Sequence, residues 1–160
     1  MKIGFVGAGN MARAIMGGGL ESGIASTDEV RASDPSEAAQ ASVQEALGIE
    51  VIADNAKLAA WADVLVLAVK PIMLEQVISE VRDAVRDDTL VISIAAGKQI
   101  DWLELAFWRP IRLVRVMPNT PALVGSGVSG LCANQNATAE PRAIAERIFN
   151  AVGACYWISE

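Results

Sequence analysis

Histidine is missing from this sequence altogether, and cysteine occurs only twice. The absence of histidine excludes Ser-His-Asp and Cys-His catalysis as well as histidine-based metal sites. Cys132 and Cys155 do not have the spacing of a metal site. We therefore expect no bound metal and two reduced thiols, as is typical of a cytoplasmic protein. Chemistry must come from a cofactor, from other polar groups, or from residues outside this chain.

Long apolar runs and an excess of basic charge are also missing. No run reaches the roughly 18 residues that span a bilayer, and the N-terminus enters a strand pattern directly, so no signal peptide is expected. The net charge of −6 argues against a grip on nucleic acid or an anionic membrane. The 160 residues, of which 52% are hydrophobic, have the composition of one folded domain.

Apolar runs alternate with amphipathic segments along nearly the whole chain. The predicted strands are MKIGFV, EVRAS, IEVI, DVLVLAV, TLVISIA, IRLVRVM, VSGLCA and ACYWI. Predicted helices lie between them, the first two ending at Gly23 and Gly48 and the fourth beginning at Pro71, and PNTPALVGSG is predicted as a loop. This alternation predicts an α/β, Rossmann-like fold, with a mostly parallel sheet and helices on both faces, over residues 1–160.

The stretch GFVGAGNMA follows the first strand and opens the first helix. Gly7 permits a tight turn, Gly9 leaves room for phosphates at the helix N-terminus, and the small Ala12 allows close packing of helix on strand. The pattern GxGxxA in this context predicts dinucleotide binding. The alternative is a glycine turn with a purely structural role.

The second strand ends in RASDPS, where such folds meet the adenosine ribose. An acidic residue there favours NAD, whereas a small polar or basic residue tolerates the 2′-phosphate of NADP. Asp34 therefore favours NAD, whereas Ser33 is compatible with NADP. Arg31 could bind a phosphate only if strand alternation directs its side chain toward the cofactor. These residues leave the choice between NAD and NADP open.

AVKP (68–71) and AAG (95–97) follow two further predicted strands. In sheets of this kind, ligands bind beyond the carboxyl ends of the strands, so we expect both segments to line the dinucleotide site. Small residues there let a flat ring approach the backbone. Lys70 is either a contact for phosphate or carboxylate or a solvated lysine before a helix. Gly97 is either part of this wall or simply a turn glycine.

Taken together, these motifs resemble those of pyrroline-5-carboxylate reductase. GFVGAGNMA, SDPS, DVLVLAVKP, VISIAAG and RVMPNTPALVGSGVSGL occur in that family's order over nearly all of the chain. The resemblance implies reduction of the C=N bond of 1-pyrroline-5-carboxylate to L-proline, the last step of proline biosynthesis. It implies hydride from NADPH or NADH, with NADPH usually preferred.

The resemblance also implies roles for particular residues. At the pyrophosphate it places Val6, Gly7, Ala8, Gly9, Asn10 and Met11. At the adenosine it places Ser33 and Asp34 near the ribose and Asn55 near the phosphate. Toward the nicotinamide it places Ala68, Val69, Lys70, Pro71, Ala95, Ala96 and Gly97. Asn119 and Thr120 would face an interdomain cleft, although the PNTP loop is equally well explained as a rigid turn.

One departure from the family is large. Its members continue into a helical domain that forms the dimer and supplies the pyrroline pocket, and the SGSGPAY-like motif of that domain does not occur here. We therefore expect a cofactor-binding domain with little or no turnover by itself, and a homodimer or higher homo-oligomer for a longer protein. The alternatives are another imine or β-hydroxyacid reductase and a domain that senses NAD(H) without catalysis.

Overall fold

The structure, a computed structural model, describes all 160 residues and contains eight strands and six α-helices. The strands are Ile3–Val6 (β1), Val30–Ser33 (β2), Glu50–Ile52 (β3), Val64–Leu67 (β4), Leu90–Ser93 (β5), Arg112–Met117 (β6), Gly127–Ala133 (β7) and Gly153–Trp157 (β8). The helices are Asn10–Glu21 (α1), Glu37–Leu47 (α2), Asn55–Trp61 (α3), Leu74–Val81 (α4), Ile100–Phe107 (α5) and Ala139–Asn150 (α6).

All eight strands form one sheet in the order β3-β2-β1-β4-β5-β6-β7-β8. Every neighbouring pair is parallel except β6 and β7, which are antiparallel. The chain turns back between β3 and β4, because β4 pairs with β1 rather than with β3. The predicted α/β, mostly parallel sheet is confirmed, and the gap between the ends of β1 and β4 is its topological switch point.

The sheet separates two hydrophobic cores. One holds 25 buried residues, with α1, α2 and α6 packed on that face, and the other holds 17, with α3, α4 and α5. Successive residues of β1 illustrate the division, since Phe5 belongs to the first core and Val6 to the second. Strands buried on both faces read as continuous apolar runs, which is why DVLVLAV gave a clear strand signal.

Helix boundaries follow the local chemistry of the sequence. The hydroxyl of Ser36 accepts from the amide of Ala39 at the start of α2, and the Asp54 carboxylate accepts from the amide of Lys57 at the start of α3. Gly48 ends α2 in the left-handed region, at φ +70°. Gly23, at φ +77°, lies two residues beyond the end of α1, in a left-handed turn.

Two segments differ from the prediction. The helix expected to begin at Pro71 starts with a 3₁₀ turn over Pro71–Met73, in which the Met73 amide donates to the Lys70 carbonyl, and α4 follows only from Leu74. The predicted loop PNTPALVGSG contains a 3₁₀ helix over Thr120–Val124. In both, proline stands in the first turn, and the turn is closed by i→i+3 hydrogen bonds, from Met73 to Lys70 and from Ala122 to Asn119.

Both cysteines are free, and burial raises the pKa of both the Cys132 and Cys155 thiols. Neither is therefore an activated thiolate. None of the helices is both long and apolar enough to cross a lipid bilayer.

Candidate dinucleotide site

The site begins at the switch point, where β1 and β4 leave the sheet side by side. Gly7 follows β1 with φ +100°, and a Cβ there would lie 2.5 Å from the carbonyl oxygen of Ala68. Any larger residue would strain the backbone and push the two strand ends apart. The fold alone therefore requires glycine at position 7, whether or not a ligand is bound. Gly7 also allows the glycine loop to pack against AVKP.

Gly9 has a different role. It precedes α1 in extended backbone, at φ −79° and ψ −173°, and a Cβ there would meet nothing within 4 Å. No side chain caps the first turn of α1. The protein does not need a glycine for packing here, so the space above the uncapped amides is open to an anion.

Asp34 ties the end of β2 to the glycine loop. Its Oδ2 accepts from the amide of Ala8 at 3.1 Å, and its Oδ1 accepts from the amide of Ser36 at 2.9 Å. The Gly7 amide donates to the Ser33 carbonyl at 2.8 Å. These bonds fix the carboxylate at the rim of the open space, next to the N-terminus of α1.

A polar chain crosses from β2 to α4. The Ser33 hydroxyl donates to Asn55 Oδ1 at 2.6 Å, and Asn55 Nδ2 donates to Glu80 Oε2 at 2.7 Å. Gln76 Nε2 donates to Glu80 Oε1 at 3.2 Å. Ser33 is fully buried, so its hydroxyl serves this internal chain and positions Asn55.

These elements enclose a cavity of about 610 Å³, a volume typical of small-molecule sites. The cavity is lined from the ends of β1, β2, β3 and β4, the start of α3, and α4 with the 3₁₀ turn before it. The lining residues are Val6, Gly7, Ala8, Gly9, Ser33, Asp34, Pro35, Ala53, Asn55, Ala68, Val69, Lys70, Met73, Gln76, Val77 and Glu80. A larger, shallower depression of about 730 Å³ lies around Trp108 and Pro110. It touches none of the predicted site residues, and we do not regard it as the site.

The structure thus brings together ten of the predicted residues, and the others lie nearby or elsewhere. Asn10 and Met11 begin α1, and Pro71 follows Lys70 and begins the 3₁₀ turn before α4. Ala95, Ala96 and Gly97 follow β5 and continue the same edge, because the Ile94 amide donates to the Leu67 carbonyl at 3.2 Å.

Asn119 and Thr120 lie beyond β6, at the start of the 3₁₀ helix, and both are exposed. Neither lines the cavity. The Asn119 Oδ1 accepts from the Val128 amide at 2.9 Å, which supports the rigid-turn interpretation of this loop. Their contact with a substrate stays a prediction.

Lys70 and Arg31, the two basic residues that the sequence offers as phosphate contacts, lie in different places relative to the cavity. Lys70 is exposed, lines the cavity and forms no salt bridge. The side chain of Arg31 points away, since its Nε lies 2.8 Å from Glu50 Oε2 and its guanidinium stacks 4.4 Å from the Trp61 ring centre.

Sequence reasoning missed the contribution of α4. Gln76, Val77 and Glu80 line the cavity, together with Met73 from the preceding turn. Val77 and Glu80 are three residues apart and therefore share a side of the helix. The sequence signal was the amphipathic pattern itself, but a pattern of this kind does not say which polar residues flank the buried stripe.

Chemically, the arrangement is a binding cleft. It offers uncapped helix amides, one lysine, two carboxylates and an apolar floor. No histidine is present, and the thiols lie outside the cavity. Such a site can hold and orient a phosphate-containing cofactor that brings its own reactivity.

The chain is similar over its whole length to proteins named as reductases. The chain is 42% identical to the pyrroline-5-carboxylate reductase of Methanosarcina acetivorans over 99% of its own length and 59% of that protein's. It superposes on the pyrroline-5-carboxylate reductase of Coxiella burnetii with a TM-score of 0.95 and 36% identity, covering 99% of this chain and 59% of that one. For the pyrroline carboxylate reductase of Plasmodium falciparum, solved with NADP bound, the TM-score is 0.89 and the identity 31%, covering 100% of this chain and 58% of that one.

The chain therefore spans about three-fifths of the length of these relatives. The resemblance seen in the motifs is confirmed over the whole chain. In addition, residues 2–97 match the family model described as NADP oxidoreductase, coenzyme F420-dependent. Because this match spans more than half of the chain, the chain belongs to that family of oxidoreductases.

Proposed function

We propose that this chain holds a reduced nicotinamide dinucleotide in the cavity at the switch point. The observation that carries the proposal is the open space above Gly9, where a Cβ would meet no protein atom and the amides of α1 have no cap. Gly7 closes against Ala68 to form the floor of the same loop. A pyrophosphate group fits a site with this geometry and these donors.

The residues of the cleft have separate tasks in this proposal. The glycine loop and the first turn of α1 bind the pyrophosphate, while Ser33 and Asp34 lie at the adenosine ribose and Asn55 lies near the adenosine phosphate. Ala68, Val69 and Lys70, with the neighbouring Ala95–Gly97 turn, orient the nicotinamide end. The bound dinucleotide supplies a hydride.

We further propose that the hydride acceptor is the imine carbon of 1-pyrroline-5-carboxylate, giving L-proline when the ring nitrogen takes a proton. The named relatives are pyrroline-5-carboxylate reductases. A protonated imine is already a good electrophile, and a site without histidine or an activated thiol is compatible with a reaction that asks mainly for orientation.

An apolar surface suggests where the rest of the active site belongs. Met117, Val128, Tyr156 and Ile158 are exposed on one face of β6, β7 and β8. Exposed apolar patches of this kind mark contacts with other structure. We propose that a second domain covers this face, completes the pyrroline pocket and forms a homodimer or higher homo-oligomer of a cytoplasmic enzyme.

Two measurements test the proposal. The first titrates this 160-residue chain with NADH and NADPH and follows nicotinamide fluorescence, for which we expect saturable binding. The second follows oxidation of each dinucleotide with 1-pyrroline-5-carboxylate, comparing this chain with the protein encoded by the complete reading frame that contains it. We expect turnover by the longer protein and little or none by this chain alone.

The outcomes separate the two parts of the proposal. If neither dinucleotide binds, the cofactor site is wrong. If a dinucleotide binds but the longer protein does not reduce 1-pyrroline-5-carboxylate, the reductase assignment is wrong and a sensing domain or another imine substrate takes its place. Appreciable turnover by this chain alone would contradict the idea that a second domain completes the pocket.

A further inference from the structure

The charges that line the cavity are unevenly distributed. Its acidic residues, Asp34 and Glu80, lie at the end formed by β2, α3 and α4, and its single basic residue, Lys70, lies at the end of β4. Arg31, the basic residue of β2, is paired with Glu50 and stacked on Trp61, away from the cavity. The adenosine end therefore has two carboxylates and no cation.

Asp34 is held by hydrogen bonds at the wall of the cavity where the proposed adenosine ribose would lie. Each of its two oxygens accepts one backbone amide, from Ala8 at 3.1 Å and from Ser36 at 2.9 Å. A carboxylate has about four lone-pair sites, so two remain free to accept hydrogen bonds. Hydroxyl groups of a ribose can donate to them, whereas a phosphate brings further negative charge and no donor of its own.

Glu80 is held in a similar way from the opposite wall. Asn55 Nδ2 and Gln76 Nε2 each donate to one of its oxygens, at 2.7 and 3.2 Å. Asn55 is itself fixed by the hydroxyl of Ser33, the residue that precedes Asp34. Hydrogen bonds thus link the Glu80 carboxylate through Asn55 to Ser33, next to Asp34, and both carboxylates line the same cavity.

We propose that this site selects NADH over NADPH, with Asp34 and Glu80 as the residues that discriminate against the 2′-phosphate. The inference rests on the proposed dinucleotide function of the same cavity. The resemblance to the reductases favours NADPH, and the P. falciparum relative was solved with NADP. The charges of this cavity argue for the opposite order, since a 2′-phosphate carries almost two negative charges and would meet carboxylates where it needs a cation.

The test compares the dissociation constants of NADH and NADPH for this 160-residue chain. We expect NADH to bind at least about 30-fold more tightly, an effect typical of a close like charge at a partly solvated site. The ratio of the NADPH to the NADH dissociation constant should fall by about tenfold when the salt concentration is raised from 0.05 to 0.5 M. Salt screens the repulsion between exposed charges.

Two variants assign the effect to residues. Asp34→Asn and Glu80→Gln remove the charge while keeping side-chain size, and each should lower the NADH preference several-fold, mainly by improving NADPH binding. Glu75→Gln is the matched control, because Glu75 is an exposed residue of α4 that does not line the cavity. It should leave the ratio unchanged.

Several results would overturn the inference. Equal or tighter binding of NADPH contradicts it while leaving the proposed dinucleotide site intact, and failure of both dinucleotides to bind contradicts the site itself. A preference that survives both charge-removing variants shows that other residues discriminate. If Asp34→Asn does not fold, because the loop loses its anchor, then Glu80→Gln and the salt series decide the question.

Discussion

Arg115 and Glu160 form an ion pair beneath the N-terminus of α5, with Arg115 Nη1 at 2.9 Å from Glu160 Oε2. Both oxygens of the Glu160 carboxylate also accept from the amide of Ile100, the first residue of α5. The side chain of Arg115 is only 9% exposed. One carboxylate thus neutralises a buried guanidinium and caps a helix, and it fixes the end of the turn that follows Gly97.

The first prediction concerns this pair. Glu160→Ala leaves Arg115 buried without a counter-charge, which costs about 3 kcal/mol of unfolding free energy and lowers Tm by about 10 °C. Thermal and urea unfolding measure the loss.

The control is Glu45→Ala, because Glu45 is an exposed residue of α2 that forms no salt bridge, and its loss should change little. Adding Arg115→Met to Glu160→Ala should restore part of the stability, because the unpaired charge is then gone. A double variant as unstable as the sum of the single ones would contradict the ion-pair explanation.

The second prediction concerns Gly9. Gly9→Ala adds a methyl group where no protein atom lies within 4 Å, so the cost is limited to the poorer N-cap propensity of alanine, about 0.5–1 kcal/mol. The methyl group occupies space that we assign to the pyrophosphate, and we expect nucleotide affinity to fall about tenfold or more. Gly19→Ala, also without a neighbour within 4 Å, is the control and should bind normally. Unchanged affinity of Gly9→Ala would place the phosphates elsewhere.

The third prediction concerns the three consecutive glycines of α1, of which only Gly18 is required by packing. A Cβ on Gly18 would lie 2.7 Å from Val152 Cγ1 and 2.9 Å from the Ala151 carbonyl oxygen, whereas one on Gly17 would make an ordinary 3.7 Å contact with Leu47. Gly18→Ala should therefore destabilise the protein by about 1–3 kcal/mol. Gly17→Ala should stabilise it by up to about 1 kcal/mol through helix propensity. Equal effects in urea unfolding would show that the segment Ala151–Val152 after α6 does not pack tightly against Gly18.

The fourth prediction concerns the dependence of stability on pH. The amide of Lys2, and then Arg86, hold the pKa of Asp63 below its ordinary value. A lowered pKa gives stability that is fully present above the ordinary value of about 3.9 and is lost as pH falls through the lowered folded value. Since the side chain is 47% exposed, its contribution is about 0.5–1 kcal/mol.

Asp63→Asn should therefore lower Tm at pH 7 by about 2 °C, and the difference from the natural sequence should shrink below about pH 4. Asp83→Asn is the comparison, because Asp83 is exposed and forms no ion pair. A difference that stayed constant down to pH 3 would mean that the charge of Asp63 does not contribute.

Much of the fold was predictable because local and global signals agree. Buried parallel strands read as unbroken apolar runs, as in DVLVLAV, and the helices between them carry glycine stops such as Gly48. Along α4 and just beyond it, Leu74, Val77, Ile78, Val81 and Val85 recur at the i, i+3, i+4 spacing of one helix face, and all five are buried. The 3₁₀ turns at Pro71 and Thr120 were missed, because proline signals a helix start without specifying its pitch.

The glycine loop was also predictable, since its pattern, its strand and its helix are contiguous in the chain. Glu80 was not. It reaches the cavity only because α4 packs beside α3, so that Asn55 can donate to it across 25 positions of sequence. Polar residues beside an apolar stripe look alike until the neighbouring helix is in place.

The sequence by itself therefore determined the order of strands and helices, the glycine loop and the family resemblance, because each depends on residues that are close in the chain. Tertiary structure decided what depends on distant pairs. It set Gly7 against Ala68, turned Arg31 toward Glu50 and Trp61, and placed Asp34 and Glu80 on one cavity. The physical reason is that the sign and position of charge around a ligand depend on how helices pack on the sheet, and local sequence patterns do not encode that packing.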